Sequence, residues 1–142
     1  MLVFQLVQLA TCVAIGFIYG LAGLLGFVIA AFLGILLLET VNYVEHYGLI
    51  RRQRASGGFE RVQPHHSWNS NAPVGRGLLF QLTRHADHHA NARRPYQVLR
   101  HFDEAPQLPT GYPGMMVLAW VPPLWFRVMN ARLDELAVEA GS

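Results

Sequence analysis

Asn42-Tyr43-Val44-Glu45-His46-Tyr47-Gly48-Leu49 is the point where a long apolar run breaks into polar chemistry. Residues 1–38 carry no charged side chain, and Gln5, Gln8 and Thr11 are their main polar relief. A helix needs roughly 20 apolar residues to cross about 30 Å of hydrocarbon, so this run is too long for one span. Gly16, Gly20, Gly23 and Gly26 mark the natural break. The pattern predicts a first helix over 2–19, a tight turn at Gly20–Gly23 and a second helix over 24–47 that ends in the quoted stretch. One tilted span preceded by an interfacial segment is the alternative. No basic residue follows Met1, which argues against a cleaved signal peptide. Arg51, Arg52 and Arg54 follow the second helix while the turn carries no basic residue. The positive-inside rule therefore places both ends of the hairpin in the cytoplasm.

Composition agrees with a membrane protein. Just over half of the 142 residues are apolar and only 14% are charged, and all 11 basic residues are arginines placed after position 50. They are spread among acids, with no dense basic run interleaved with aromatics, so nucleic acid is not the expected partner. A membrane face or an acidic protein suits them better. The single Cys12 excludes a disulfide framework and a thiolate metal site. Seven histidines make imidazole the abundant ligand type.

The end of the second helix is unusual. Glu39 follows Ile35-Leu36-Leu37-Leu38 without a break. At about 100° per residue, Glu39, Asn42, Tyr43 and His46 share one face, with Glu45 beside it. Ionisable groups at such a depth are costly unless they pair, bind metal or line a wet cavity. A helix end snorkelling into headgroup water is the bland reading of Glu39 alone.

Beyond it, residues 51–72 read as a polar connection, flexible at Ser56-Gly57-Gly58. Pro64-His65-His66-Ser67-Trp68-Asn69-Ser70-Asn71 follows, rich in turn and cap formers. Adjacent histidines in such a loop are more often hydrogen-bonding residues than ligands, and Trp68 and Asn69 either wall a site or pack against it. A helix is expected over 74–91, opened by Pro73, with Leu78, Leu79 and Leu82 on its apolar side. On it, His85, His88 and His89 at i, i+3 and i+4 offer three imidazoles to one face, and Asp87 is placed to orient a ligand ring. Residues 95–114, with four prolines, read as an extended loop. The apolar segment 115–126 is too short to span and is interrupted by Pro122-Pro123. A short polar helix is expected over 132–140.

Four imidazoles from two segments, with Glu, Asp and Asn nearby and no Cys, suit iron, zinc or copper. The absence of HExxH, GxSxG and a Gly-rich phosphate loop leaves zinc proteases, serine hydrolases and NTPases without support. Haem ligation by histidines on two helices stays open from spacing alone. A His cluster at a membrane helix end receives apolar substrate from lipid and electrons from the cytoplasm, which favours hydrocarbon oxidation.

NYVEHYGL at 42–49, PHHSWNSN at 64–71 and LTRHADHHA at 82–90 resemble the membrane-bound alkane 1-monooxygenases, as do YQVLR at 96–100 and LPTGYPG at 108–114. The resemblance covers nearly all of the chain. It implies a non-haem di-iron enzyme that uses O2 to hydroxylate the terminal carbon of an alkane. Its electrons come from rubredoxin, kept reduced by a rubredoxin reductase. Carried onto this chain, His46, His85, His88 and His89 are iron ligands. Glu39, Asn42, Glu45 and Asp87 are supporting candidates by facing and spacing.

The family also has two further His clusters, HExxH-like and EHxxGHH-like, on earlier helices, and this chain contains neither. The chain is therefore expected to be the C-terminal portion of the enzyme, inactive without its missing N-terminal part, with a split enzyme as the alternative. The expected fold is all-α: a polytopic membrane fragment whose two transmembrane helices (1–48) precede a cytoplasmic His-rich helical region (49–142) with an irregular C-terminal cover. The expected location is the inner or plasma membrane, with the metal site on the cytoplasmic side. A related fatty acid desaturase or hydroxylase, and an inactive metal- or haem-binding membrane fragment, are the rival readings.

Overall fold

The structure, a computed structural model, describes every residue except Ala92 and Ser142, and describes only the backbone of 139–141. It is helical: α1 (Leu2–His46), α2 (Pro73–Leu78), α3 (His85–Ala90), α4 (Tyr112–Ala119) and α5 (Pro122–Gly141), with 3-10 turns at Pro64–His66 and Tyr96–Val98. Among the described residues there is no strand, only isolated bridges pairing Gln53 with Phe59 and Asn69 with Gln107. The chain divides into two compact units, Met1–Glu39 and Thr40–Ser142.

In the first unit, α1 is long and apolar enough to cross a membrane. Its backbone breaks at one residue, Gly20, with φ 68° and ψ −169°, a conformation open essentially to glycine alone. The expected four-residue turn is thus a single glycine, because glycine can reverse the chain without spending further residues. A cavity of about 440 Å³ is lined by Val7, Gln8, Thr11 and Cys12 before the break and Phe27, Val28, Ala31, Phe32 and Ile35 after it. Large apolar side chains are exposed along both limbs, as suits hydrocarbon surroundings.

The second unit starts with the last turns of α1 and packs around Val44, Trp68, Leu108, Tyr112, Met115, Trp125 and Met129. The stretch 42–49 belongs to this unit and ends α1. Gly48 takes φ 70°, the left-handed residue that commonly closes a helix. The expected helix over 74–91 is instead two six-residue helices, α2 and α3. Between them Phe80 and Gln81 adopt φ 49° and 64°. Two glycines in α2 weaken it by about 1 kcal/mol each, and Leu78, Phe80 and Leu82 are exposed rather than forming an apolar face.

The C-terminal cover is also more regular than expected. Pro113 stands in the first turn of α4, and Pro122 opens α5. Proline's fixed φ suits a first helical turn, so Pro122-Pro123 starts a helix as well as ending the segment before it. That helix begins ten residues before the expected Arg132. Trp125 and Met129 are buried, and Leu133 and Leu136 pack against the same core, giving α5 one apolar stripe.

Candidate metal centre

His46 stands at the C-terminal end of α1 and His85 at the first position of α3. Their Nε2 atoms are 3.4 Å apart although 39 residues separate them in sequence. His89 joins them, and the ligand nitrogens of all three lie within 4.8 Å of one another. The ring centroids of His46 and His89 are 5.2 Å apart, and those of His85 and His89 are 4.3 Å apart. His88 stands a step out, its ring 5.9 Å from His85 and 5.8 Å from His89.

The carboxyl group beside these rings is that of Glu45, whose Oε1 is 3.2 Å from His85 Nδ1. The approach is off the line of a full hydrogen bond, and Nδ1 has no other partner among the described residues. Both side chains are buried. Burial, and then the neighbouring His89, His46 and His88, push the His85 imidazole down to about 2. It is therefore neutral, with a lone pair to offer. Burial also lowers His89, helped by His46 and His88.

These residues fit a metal ion. Two nitrogens bound to one ion at about 2.1 Å with a tetrahedral angle lie roughly 3.4 Å apart. A carboxylate against the far nitrogen of a ligand ring is the usual arrangement for fixing its tautomer. Imidazole and carboxylate without thiolate suit a borderline transition metal.

Asp87 lies elsewhere than the spacing suggested. Its carboxylate accepts Asn91 Nδ2–H and the Arg100 N–H, each at 2.8 Å, and pairs with the Arg94 guanidinium. It thus secures the far end of α3 and is not bonded to a ring nitrogen in these contacts. Burial pushes this carboxyl up, but the Arg100 N–H, Arg94 and Asn91 outweigh burial and hold it below its ordinary value. Asn42 is exposed, and so is Glu39, which falls in the first unit.

A second group, Glu60, His65 and His66, also brings its ligand atoms within 4.8 Å. In it, His66 Nδ1 accepts the Gln63 N–H at 2.9 Å, which leaves the Nε2 proton to face Glu60 Oε1 at 3.0 Å. Both nitrogens are engaged, so His66 acts here as a structural residue. Glu60 carried no sequence signal of its own; the turn Ser56-Gly57-Gly58, which pairs 53 with 59, was the only pointer to it. A cavity of about 470 Å³ adjoins both groups, lined by His46, His89 and His66 together with Leu49, Ile50 and Phe59.

Residues 1–127 match the family described as fatty acid desaturase. The chain is 52% identical to alkane 1-monooxygenase 1 of Pseudomonas aeruginosa over 128 residues, 90% of this chain and 34% of that protein. It is 56% identical to alkane 1-monooxygenase 2 of Alcanivorax borkumensis over 119 residues, 84% of this chain and 31% of the relative. Against the alkane 1-monooxygenase of Acinetobacter baylyi the identity is 57% over 105 residues, 74% of this chain and 26% of the relative. The chain thus spans between a quarter and about a third of the length of these curated relatives.

Proposed function

Because the chain belongs to the fatty acid desaturase family, we propose that it contributes His46, His85, His88 and His89 to the non-haem di-iron centre of a membrane monooxygenase. The enzyme would hydroxylate the terminal carbon of alkanes. The observation that carries this reading is the convergence of His46 with His85 and His89 across at least 39 residues of sequence. Two irons would be held in the complete enzyme, with further ligands lying outside these 142 residues. When bound, the irons supply the redox chemistry that divides O2 between an alkane C–H bond and water, on electrons from rubredoxin.

The chain's own residues prepare the site. His85 stays neutral and ready to ligate, and the Glu45 carboxyl group stands 3.2 Å from its far nitrogen. Leu49, Ile50 and Phe59 give the cavity an apolar wall suited to a hydrocarbon. Glu39 and Asn42, both exposed, remain supporting candidates on this reading. Arg51, Arg52 and Arg54 follow α1 and suit the encounter with an acidic rubredoxin, raising its rate more than its affinity. In this reading α1 makes two membrane passes that meet at Gly20, with the metal centre on the cytoplasmic side of the inner or plasma membrane.

The test is to purify the complete enzyme and measure its metal and products. Two non-haem irons, no Soret band and conversion of octane to 1-octanol are expected. His46→Ala or His88→Ala should abolish turnover while membrane insertion is kept. A Soret band, or zinc at full occupancy, would overturn the di-iron reading. Oxidation of a fatty acid without any 1-octanol would move the substrate to acyl chains, which the family's description also accommodates.

A further inference from the structure

The two ligand-bearing helix ends are joined through one dipeptide, Trp68-Asn69. A helix leaves its last four carbonyls and first four N–H groups without partners inside the helix. At the end of α1, the Trp68 N–H donates to the Glu45 carbonyl at 2.9 Å. The indole Nε1–H of the same residue donates to the Tyr47 carbonyl at 2.8 Å. One side chain and one amide thus hold the carbonyls on either side of His46.

The next residue does the matching work on α3. Arg84, the residue before that helix, makes no side-chain cap. Asn69 Oδ1 instead accepts the Ala86 N–H at 2.9 Å, across 17 residues of sequence. Ala86 is the second residue of α3, the position an N-cap side chain serves, and it directly follows His85. The Asn69 amide is fixed in that sense, because its Nδ2–H donates to the Ser67 carbonyl at 2.8 Å.

The dipeptide is itself held rigidly. The Asn69 N–H donates to the Pro106 carbonyl at 2.8 Å, and the Asn69 carbonyl accepts the Leu108 N–H at 2.9 Å. The Tyr112 hydroxyl donates to the Trp68 carbonyl at 2.7 Å. Trp68 is 0% exposed and Asn69 1%, so water does not compete for these bonds. We propose that Trp68 and Asn69 are positioning residues that set the His46–His85 separation by capping both ligand-bearing helix ends from one rigid segment. Among the described residues neither hydrogen-bonds to an imidazole; each acts through the backbone beside one of them.

The inference rests on the metal reading for its affinity arm only. Trp68→Phe removes the indole donor and keeps the ring's bulk and the backbone N–H. Asn69→Ala removes the trans cap, and Asn69→Asp restores an acceptor. In the complete iron-loaded enzyme, release of iron to a competing chelator should be about 10–100-fold faster in Trp68→Phe and Asn69→Ala, the range seen when ligand support is lost. Asn69→Asp should recover part of the difference, because it keeps the acceptor for the Ala86 N–H but loses the donor to the Ser67 carbonyl. The second readout needs no metal: amide hydrogen exchange of the peptide spanning 84–90 in the metal-free protein, which should lose protection in Asn69→Ala. Wild-type release rates in the variants, or unchanged exchange over 84–90, would overturn the proposal. Should Asn69→Ala fail to fold, Trp68→Phe carries the release measurement. A wild-type protein that binds no iron would defeat the functional reading instead, and the exchange measurement would then decide the positioning role by itself.

Discussion

Gly48, two residues after His46, gives a sharp test of how the end of α1 is seated. A Cβ built on it would stand 2.3 Å from Leu133 Cδ1, 2.9 Å from Cδ2 and 3.2 Å from Cγ. Its φ of 70° adds an independent penalty. Gly48→Ala therefore carries about 1–2 kcal/mol for a side chain in the left-handed region. It adds about 1–3 kcal/mol for forcing a methyl group into packed space, a total of about 2–5 kcal/mol. Leu133→Ala should cost no more than the lower part of the usual range of about 2–5 kcal/mol, because Leu133 is only half-buried. In the double variant the clash is gone while the backbone penalty and the Leu133 packing loss remain, so the two losses should fall short of additivity by about 1–3 kcal/mol. Equilibrium unfolding in mild detergent, followed by tryptophan fluorescence, reads this directly, since all three tryptophans lie at or beyond position 68. Trp68 and Trp125 are buried in the core that Leu133 packs against. Losses that add to within about 0.5 kcal/mol would refute the contact.

Three further outcomes follow from the site. Glu45→Gln should weaken metal binding about 10–100-fold in a chelator competition, because an amide cannot ionise beside a bound cation to orient and polarise the His85 ring; unchanged affinity would remove Glu45 from that role. His85 titrates near 2 in the folded chain against an ordinary 6.5, so the unfolded chain takes up the proton first. The contribution of neutral His85 to the stability of the metal-free protein is then full above pH about 6.5 and falls as pH drops towards 2, by up to about 1.4 kcal/mol per pH unit. His85→Gln should flatten that slope, measured by unfolding at stepped pH. Asp87→Asn should cost about 2–4 kcal/mol in the same assay, through weakening of the buried carboxylate's bonds to Arg94, Arg100 and Asn91.

What was legible in the sequence is what is local. The charge-free run, its glycine break and the polar end at 42–49 can be read without coordinates, because each rests on consecutive residues. The HxxHH spacing was readable for the same reason, since a single helical turn is enough to bring three rings to one side. The helix around it was overextended. Leu78, Leu79 and Leu82 have helical spacing, yet the helix is broken at Phe80 and Gln81, and such tertiary overrides of periodicity leave no local mark. Asp87 was misplaced for a related reason. Its partners, Arg94 and Arg100, come from a loop whose path no pattern predicts, so its place among His85, His88 and His89 pointed to a ligand ring instead. Glu45, by contrast, was named as a supporting group, but its pairing with His85 depends on a contact across 40 residues.

The short length of α3 decides how the site must be built. Six residues are far below the roughly 12–15 that an isolated helix needs in water. Its order therefore comes from outside: Asn69 at its start, and Asp87 with Arg94 and Arg100 at its end. The three histidines it carries are thus only as well placed as those long-range bonds. On the proposed reading, metal binding and the folding of α3 are linked, since an ion that draws His85 and His89 to His46 also stabilises the helix that presents them. This explains why the segment at 64–71 matters although its own histidines are not the convergent ones. Trp68 and Asn69 tie the end of α1 to the start of α3, and the loop at 94–100 closes the other end. On that reading the candidate ligands lie in two short stretches, but the geometry that brings them together is distributed over the unit from Thr40 onward.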